Sequence, residues 1–178
     1  MAGNPVQWLV LIYTLPPEPT RKRAFVWREL KKIGAIYRRD GVCVLPDRPV
    51  TRQAIQSVVD RVRAFEGQAT LVEAASVDDL TAQEVMAQAR AARQSEYTAL
   101  AESSRELLDH VRRELLHRDF SEMETRTLLQ DVGKLWRWYD QICARDYFSS
   151  DGTAAQASAA IAECESTIQD LPFGVAAK

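Results

Sequence analysis

The chain has 178 residues, of which 46% are apolar and 27% are charged, and its formal net charge is −2. These values are typical of a globular protein with a buried core. The longest apolar run starts at Trp8 and is far shorter than the roughly 20 residues that a membrane-spanning helix needs, so we expect no membrane partner. Because this run begins too close to Met1 for a basic leader and ends in two prolines, we expect a cytoplasmic protein.

Charge is distributed unevenly along the chain. Residues 1–77 contain 12 Lys and Arg against 7 Asp and Glu, a net charge of +5. Residues 78–178 contain 11 against 18, a net charge of −7. A cationic half joined to an anionic half predicts either two surfaces with different partners or two halves that attract each other.

The first half predicts alternating strands and helices. Residues 7–15 form a nearly continuous apolar run, typical of a central strand that is covered on both faces. A proline-rich turn follows, and Thr20 is then placed to cap a helix that Gly34 ends. Two short apolar runs flank Asp40-Gly41, which is a strong hairpin signal.

A second helix and a fourth strand complete this half. Apolar residues recur at helical spacing between Thr51, the expected N-cap, and Gly67, and residues 68–77 follow as a strand. The resulting order, βαββαβ, is the ferredoxin-like arrangement. It leaves one face of the sheet bare, on which we place Trp8, Tyr13 or Tyr37.

The second half contains no strand signal. An Ala-, Gln-, Glu- and Arg-rich stretch without proline predicts a long helix from residue 78 to about residue 117. Two further helices are predicted at about 121–144 and 154–171, with breaks around residues 119–121 and 149–152. Matching apolar stripes predict an antiparallel bundle. The predicted fold class is therefore α+β, with a basic ferredoxin-like domain at residues 1–77 and an acidic three-helix domain at residues 78–178.

Three cysteines, Cys43, Cys143 and Cys164, lie far apart and form no Cys-x-x-Cys pair. Their odd number and wide spacing argue against a disulfide framework and against a thiolate metal site. We expect each of them to be a small buried or half-buried residue. The sequence leaves a redox role for Cys43 open.

The sequence contains no pattern of catalytic residues. His110 and His117 lie on a predicted helix among charged residues and are expected to be solvated. Nucleotide-binding loops, zinc-protease motifs and nucleophile elbows are absent. Ferredoxin-like domains of CRISPR-associated nucleases usually carry an acidic Mg²⁺ ligand at the end of the first strand, where this sequence reads Tyr-Thr-Leu at residues 13–15. We therefore expect no enzyme, no cofactor and no metal site.

Residues 8–49 carry a resemblance to a known family. In order, this stretch contains a tryptophan-led strand, Leu-Pro-Pro, an Arg-x-x-x-Trp-Arg helix, Gly-Ala and a Gly-Val-x-Val-Leu-Pro strand. It resembles the amino-terminal domain of the ChrB family, which regulates bacterial chromate-resistance operons. Residues 136–138 and 145–148 are more loosely similar to later family segments, and the middle domain of the PaaX repressor is similar in pattern. Full-length ChrB relatives carry a further carboxy-terminal domain that nothing here matches.

A cationic cluster between residues 20 and 39 is the clearest functional signal, with eight basic residues against one acidic residue, Glu29. Three of the basic residues lie in the first turn of the predicted helix, where free backbone N–H groups and the helix dipole attract anions. We predict that this cluster binds nucleic-acid phosphates; a solvated face, or a docking face for the acidic half, is the alternative. The predicted site residues are Arg21, Lys22, Arg23, Arg28, Lys31, Lys32, Arg38 and Arg39.

Three functional hypotheses follow. The resemblance implies a transcriptional regulator of chromate resistance, in which the basic helix and hairpin bind DNA and the chain forms a homodimer. The second hypothesis is a non-enzymatic protein-interaction or dimerisation module. The third is a direct sensor of chromate, a tetrahedral oxyanion. Salt separates the first two, because phosphate binding weakens steeply as salt rises whereas a docking face stays buried.

Overall fold

The structure is a computed structural model that describes residues 6–117, 120–149 and 152–171. The chain divides into two compact units, Met1–Ala89 and Arg90–Lys178. Among the described residues, no helix combines the length and the apolar character that crossing a membrane requires. The elements in chain order are β1 (Trp8–Thr14), α1 (Thr20–Lys32), β2 (Ile36–Arg39), β3 (Val42–Pro46), α2 (Pro49–Ala64), β4 (Gln68–Ala74), α3 (Asp79–Leu115), α4 (Glu122–Cys143) and α5 (Thr153–Gln169).

The first unit contains a four-stranded antiparallel sheet in the order β2-β3-β1-β4. β1 is central: Leu11 lies opposite Cys43 in β3 and opposite Leu71 in β4. The observed element order is βαββαβ, and helices follow the sheet. The predicted α+β class, a sheet followed by a helical region, is confirmed.

Side chains of β1 alternate between the two faces of the sheet. Leu9, Leu11 and Tyr13 share one face, which points towards α1 because Tyr13 lines a cleft together with residues of α1; both leucines are buried. Trp8 and Ile12 lie on the opposite face, where Trp8 is 2% exposed and Ile12 is 46% exposed. The placement of Tyr13 on the bare face is therefore wrong, because it has the same parity as Leu11.

Tyr37 also lies on the helix face. It pairs with Cys43, which pairs with Leu11, so the three residues share one side of the sheet. A register shift between Tyr37 and Arg39 then bulges the hairpin. Of the three aromatic residues expected on the bare face, only Trp8 lies on the face away from α1, and Trp8 is buried there.

The two helices of the first unit begin earlier than predicted, α1 by one residue and α2 by three. The N-cap of α1 is Pro19, so Thr20 is already the first helical residue. The N-cap of α2 is Arg48, and Pro49 occupies the first turn, where a missing N–H costs nothing. The Thr51 hydroxyl lies three residues further on, accepts from the backbone N–H of Arg48 at 2.9 Å and donates to the carbonyl oxygen of Pro46 at 2.6 Å.

The boundary between the two compact units lies within α3. The first unit ends at Ala89 and so includes the first turns of α3. In these turns Val85 is buried, and Glu84 accepts a hydrogen bond at 2.6 Å from the guanidinium of Arg38 in β2. This ion pair connects the hairpin to α3, which amphipathic periodicity alone does not indicate.

The second unit is built from the rest of α3 with α4 and α5. Ser121 caps α4 with a reciprocal capping box: its hydroxyl accepts from the backbone N–H of Glu124 at 3.3 Å, and its own N–H donates to the Glu124 carboxylate at 2.9 Å. Trp136 on α4 donates to Glu165 on α5 at 2.9 Å. Parts of the predicted breaks, residues 119 and 150–151, lie outside the described residues. The buried core includes Tyr97, Leu100, Leu108, Val111, Phe120, Val132, Ile142, Ala157, Ile161, Cys164 and Ile168.

A close backbone contact joins the hairpin to the end of β1. The N–H of Tyr13 donates to the carbonyl oxygen of Gly41 at 2.7 Å. Gly41 has a φ of +71°, and a Cβ at this position would overlap the Tyr13 carbonyl oxygen. Glycine is therefore required here for both its backbone conformation and its lack of a side chain.

We expect Gly41→Ala to lower the free energy of unfolding by at least about 1 kcal/mol more than Gly152→Ala does. Both glycines adopt positive φ, so both substitutions incur left-handed strain of roughly 1–2 kcal/mol. Of the two, only Gly41 would bring an added Cβ against another atom, since no atom of the described residues lies within 4 Å of a Cβ at Gly152. Urea denaturation followed by circular dichroism measures both; equal losses would contradict the close contact.

Candidate nucleic-acid interface

A cleft of about 750 Å³ opens beside α1 in the first unit. Its walls are the end of β1, one face of α1 and the β2–β3 hairpin. We call it the aromatic-basic cleft. Its lining residues are Tyr13, Thr14, Leu15, Arg23, Trp27, Lys31, Tyr37, Arg38, Arg39, Asp40 and Gly41.

The α1 wall of the cleft is a stripe of residues spaced by four. Arg23, Trp27 and Lys31 therefore lie above one another on a single helix face. The side chain of Trp27 is 50% exposed. The ammonium of Lys31 lies 5.9 Å from the centroid of the Trp27 ring, a cation–π distance.

The sheet side of the cleft carries two tyrosines. Their hydroxyl oxygens, on Tyr13 and Tyr37, are 3.1 Å apart and share a hydrogen bond. Burial raises the pKa of both phenols above the usual value near 10, and the hydrogen bond to Tyr13 raises that of Tyr37 further. Both hydroxyls are therefore neutral at physiological pH and can donate or accept hydrogen bonds.

Four cations and one carboxylate, Asp40, line the cleft. Arg38 is held by Glu84, as described above. The other three, Arg23, Lys31 and Arg39, are exposed and form no ion pair within residues 6–117, 120–149 and 152–171. Three positive charges are therefore available to an anion in the cleft.

The remaining four predicted residues lie elsewhere on α1. Arg21, Lys22 and Arg28 lie with Phe25 and Phe65 at a separate pocket. Lys32 lines the groove between α1 and α2, where its ammonium is 3.8 Å from the Glu29 carboxylate. The structure thus brings four of the eight predicted residues together and places the other four outside the cleft.

Lys22 contributes to the fold. Its ammonium donates to the carbonyl oxygen of Phe65 at 3.4 Å, lies 3.5 Å from the Glu66 carboxylate and stands 5.7 Å from the centre of the Phe65 ring. These contacts fasten the start of α1 to the end of α2. Lys22 is thereby unavailable as a free phosphate ligand.

Sequence reasoning missed the aromatic part of the cleft. The predicted site residues are all Lys or Arg and include neither Trp27 nor either tyrosine. The spacing of four between Arg23, Trp27 and Lys31 was a usable signal. The Tyr13–Tyr37 pair could not be predicted from residue spacing, because it depends on strand register.

Comparison with known proteins gives the family. Residues 23–176 match the family described as Protein ChrB, N-terminal. The chain belongs to this family. The match includes α1 from Arg23 onward and the whole hairpin, and it continues through the helical unit; Arg21 and Lys22 precede it.

A curated relative supports the ChrB assignment. Protein ChrB of Cupriavidus metallidurans is 26% identical to this chain over 148 residues, which is 83% of the chain. The chain spans 42% of that relative's length. No solved structure matches this ChrB-family chain.

The histidines of this ChrB-family chain lie outside the cleft. His110 and His117 are exposed, and both are in the second unit. Among the residues that the structure describes, no group of three His, Cys, Asp or Glu side chains converges in a way that holds a metal ion.

Cys43 lies in the sheet of the ChrB domain, paired with Tyr37 of the cleft. Its side chain is fully buried, and burial raises the pKa of the thiol to about 12. Cys164 is also buried, whereas Cys143 is exposed. The structure therefore gives no support to a redox role for Cys43, because the thiolate is the reactive form.

We expect iodoacetamide at pH 8 to alkylate Cys143 in the native protein and to leave Cys43 and Cys164 unmodified. The buried thiols are inaccessible, and the raised pKa of Cys43 keeps it protonated. Mass spectrometry of tryptic peptides identifies the modified residue, and urea-unfolded protein provides the control with all three thiols modified. Rapid labelling of Cys43 in the native protein would show that it is not enclosed.

We also expect Lys22→Met to lower the free energy of unfolding by about 1 kcal/mol, because it removes an ion pair and a cation–π contact. Arg21→Met is the matched control: it removes the same charge from the preceding, exposed position. It should change stability by less than about 0.5 kcal/mol. Equal effects in urea denaturation would mean that Lys22 does not fasten α1.

Proposed function

We propose that this ChrB-family chain is a non-enzymatic, DNA-binding part of a regulator of chromate resistance, and that it contacts DNA through the aromatic-basic cleft. The observation that carries the proposal is the convergence of Arg23, Lys31 and Arg39, all exposed, around one cleft. Family membership supplies the biological context.

The spacing of these cations suits a phosphate backbone. Arg23 and Lys31 are eight residues apart, about 12 Å along the helix axis. Along one DNA strand a phosphate recurs about every 3.4 Å of axis, so the two cations reach different phosphates. Arg39 adds a third contact from the hairpin. Binding of this kind positions the protein on the backbone without reading sequence.

The chemistry of the cleft favours binding over catalysis. Among its described lining residues, Asp40 is the one carboxylate, and the two phenols have raised pKa values. A general base works best with a pKa near the working pH, which these phenols do not have. We therefore propose no enzymatic step and no cofactor.

An exposed apolar pair favours self-association as a second role. Ile12 and Val72 are 46% and 41% exposed and lie on the sheet face away from α1, in neighbouring strands. A second copy covering this face would bury both side chains and produce the proposed homodimer. The cleft would remain open in such a dimer, since it lies on the other face.

The test compares two triple variants that remove the same charge. The first changes Arg23, Lys31 and Arg39 to Ala and empties the cleft of its available cations; the second changes Arg21, Arg28 and Lys32 to Ala outside the cleft. Affinity for duplex promoter DNA is measured by fluorescence anisotropy over a series of salt concentrations. Each lost phosphate contact reduces the slope of log K against log salt by about 0.9.

We expect the cleft variant to lose most of its affinity, with a slope of log K against log salt that is smaller in magnitude by roughly 2 to 3. The other variant should keep most of its affinity and a slope within about 0.5 of the wild-type slope. Equal losses in the two variants would mean that net charge, rather than the cleft, drives binding. Adding chromate to the wild-type protein tests the oxyanion alternative: specific release of DNA by chromate, but not by sulfate at the same ionic strength, would assign the sensor to this chain.

A further inference from the structure

We infer that the aromatic-basic cleft binds an unpaired nucleotide, so that this chain prefers single-stranded DNA to duplex. The inference rests on the proposed function and names the form of DNA that the cleft takes. Its basis is the exposed ring of Trp27, which lies between two cations on one face of α1 and lines the same cleft as the tyrosine pair.

Trp27 is the central observation. Its ring is half exposed and lines a cleft that also contains cations and two tyrosines, and a partner that covered the ring would remove apolar surface from water. Arg23 and Lys31 flank it, one helical turn away on each side. A cationic groove with an aromatic platform is how proteins bind single strands: the cations follow the backbone, and the ring stacks on a base.

The size of the cleft supports the same ligand. Its volume of about 750 Å³ lies within the range of about 300–1,000 Å³ typical of small-molecule sites. The hydroxyls of Tyr13 and Tyr37 remain neutral and offer hydrogen bonds to a base edge or a sugar. A duplex keeps its bases stacked inside and engages only the cations at the rim, whereas an unpaired nucleotide also reaches the aromatic residues.

The second basic surface of α1 lacks this capacity. There the rings of Phe25 and Phe65 pack edge to face at 5.8 Å, and the guanidinium of Arg61 lies 5.5 Å and 5.8 Å from their centres. Lys22 stands over Phe65 as well. These rings contact each other as well as two cations, whereas within the described residues Trp27 has the single cation–π contact with Lys31 and is 50% exposed, so stacking on a base is assigned to Trp27.

The test uses the full chain and two probes of equal length, fluorescein-labelled oligo-dT and a duplex. Trp27→Ala removes the stacking surface, and Trp27→Phe keeps an aromatic ring as the matched control. We expect the wild type to bind oligo-dT more tightly than duplex. Trp27→Ala should weaken oligo-dT binding by roughly 10-fold or more and duplex binding by less than about 2-fold, while Trp27→Phe stays within about 3-fold of the wild type.

Failure of this inference is distinguishable from failure of the proposed function. One outcome is that duplex binding depends on Arg23, Lys31 and Arg39, while Trp27→Ala weakens binding of both probes equally or of neither. That outcome would support DNA binding through the cleft and contradict the preference for an unpaired nucleotide. If the wild type binds neither probe at low salt, both fall. Circular dichroism spectra of the Trp27 variants exclude unfolding as the cause of a loss, since the exposed ring contributes little to the core.

Discussion

The hydrogen bond between the Tyr13 N–H and the Gly41 carbonyl determines where the cleft forms. It holds the β2–β3 hairpin against the last residues of the central strand, so that Arg39 and Tyr37 face the residues of α1. The contact tolerates no side chain at Gly41. A longer separation at this point would splay the hairpin from β1 and remove the Tyr13–Tyr37 hydrogen bond. The cationic and aromatic parts of the cleft therefore depend on one backbone approach.

Helical periodicity then determines which basic residues of α1 line the cleft. Residues 20–39 concentrate positive charge, but a turn of 3.6 residues distributes that charge around the axis of α1. Arg23 and Lys31 fall on the cleft side, whereas Arg28 falls on the side of Phe65. Ion pairing removes Arg38 from the set of available cations, and Lys22 is engaged at the end of α2. Charge density along a sequence thus overstates the number of unpaired cations that share one surface.

Much of the fold was predictable from sequence because its signals are local. The apolar run of β1, the Asp40-Gly41 turn and the helix-ending glycines Gly34 and Gly67 each specify structure within a few residues, and the order βαββαβ follows from them. The exceptions depend on tertiary contacts. The start of α3 contacts the sheet of the first unit through the Glu84–Arg38 ion pair. Tyr37 lies near Tyr13 because Cys43 pairs with Tyr37 on one side and with Leu11 on the other. Neither contact can be predicted from hydrophobic periodicity.

The distribution of sulfur has a consequence for the durability of the cleft. None of its described lining residues is Cys or Met, and Cys43, the cysteine of the first unit, is fully enclosed. Thiolates and thioethers are the groups that common oxidants modify first. Oxidative chemistry at the exposed Cys143 would modify the second unit and leave the cations and tyrosines of the cleft unaltered. The cleft is accordingly built from side chains that tolerate oxidising conditions better than sulfur does.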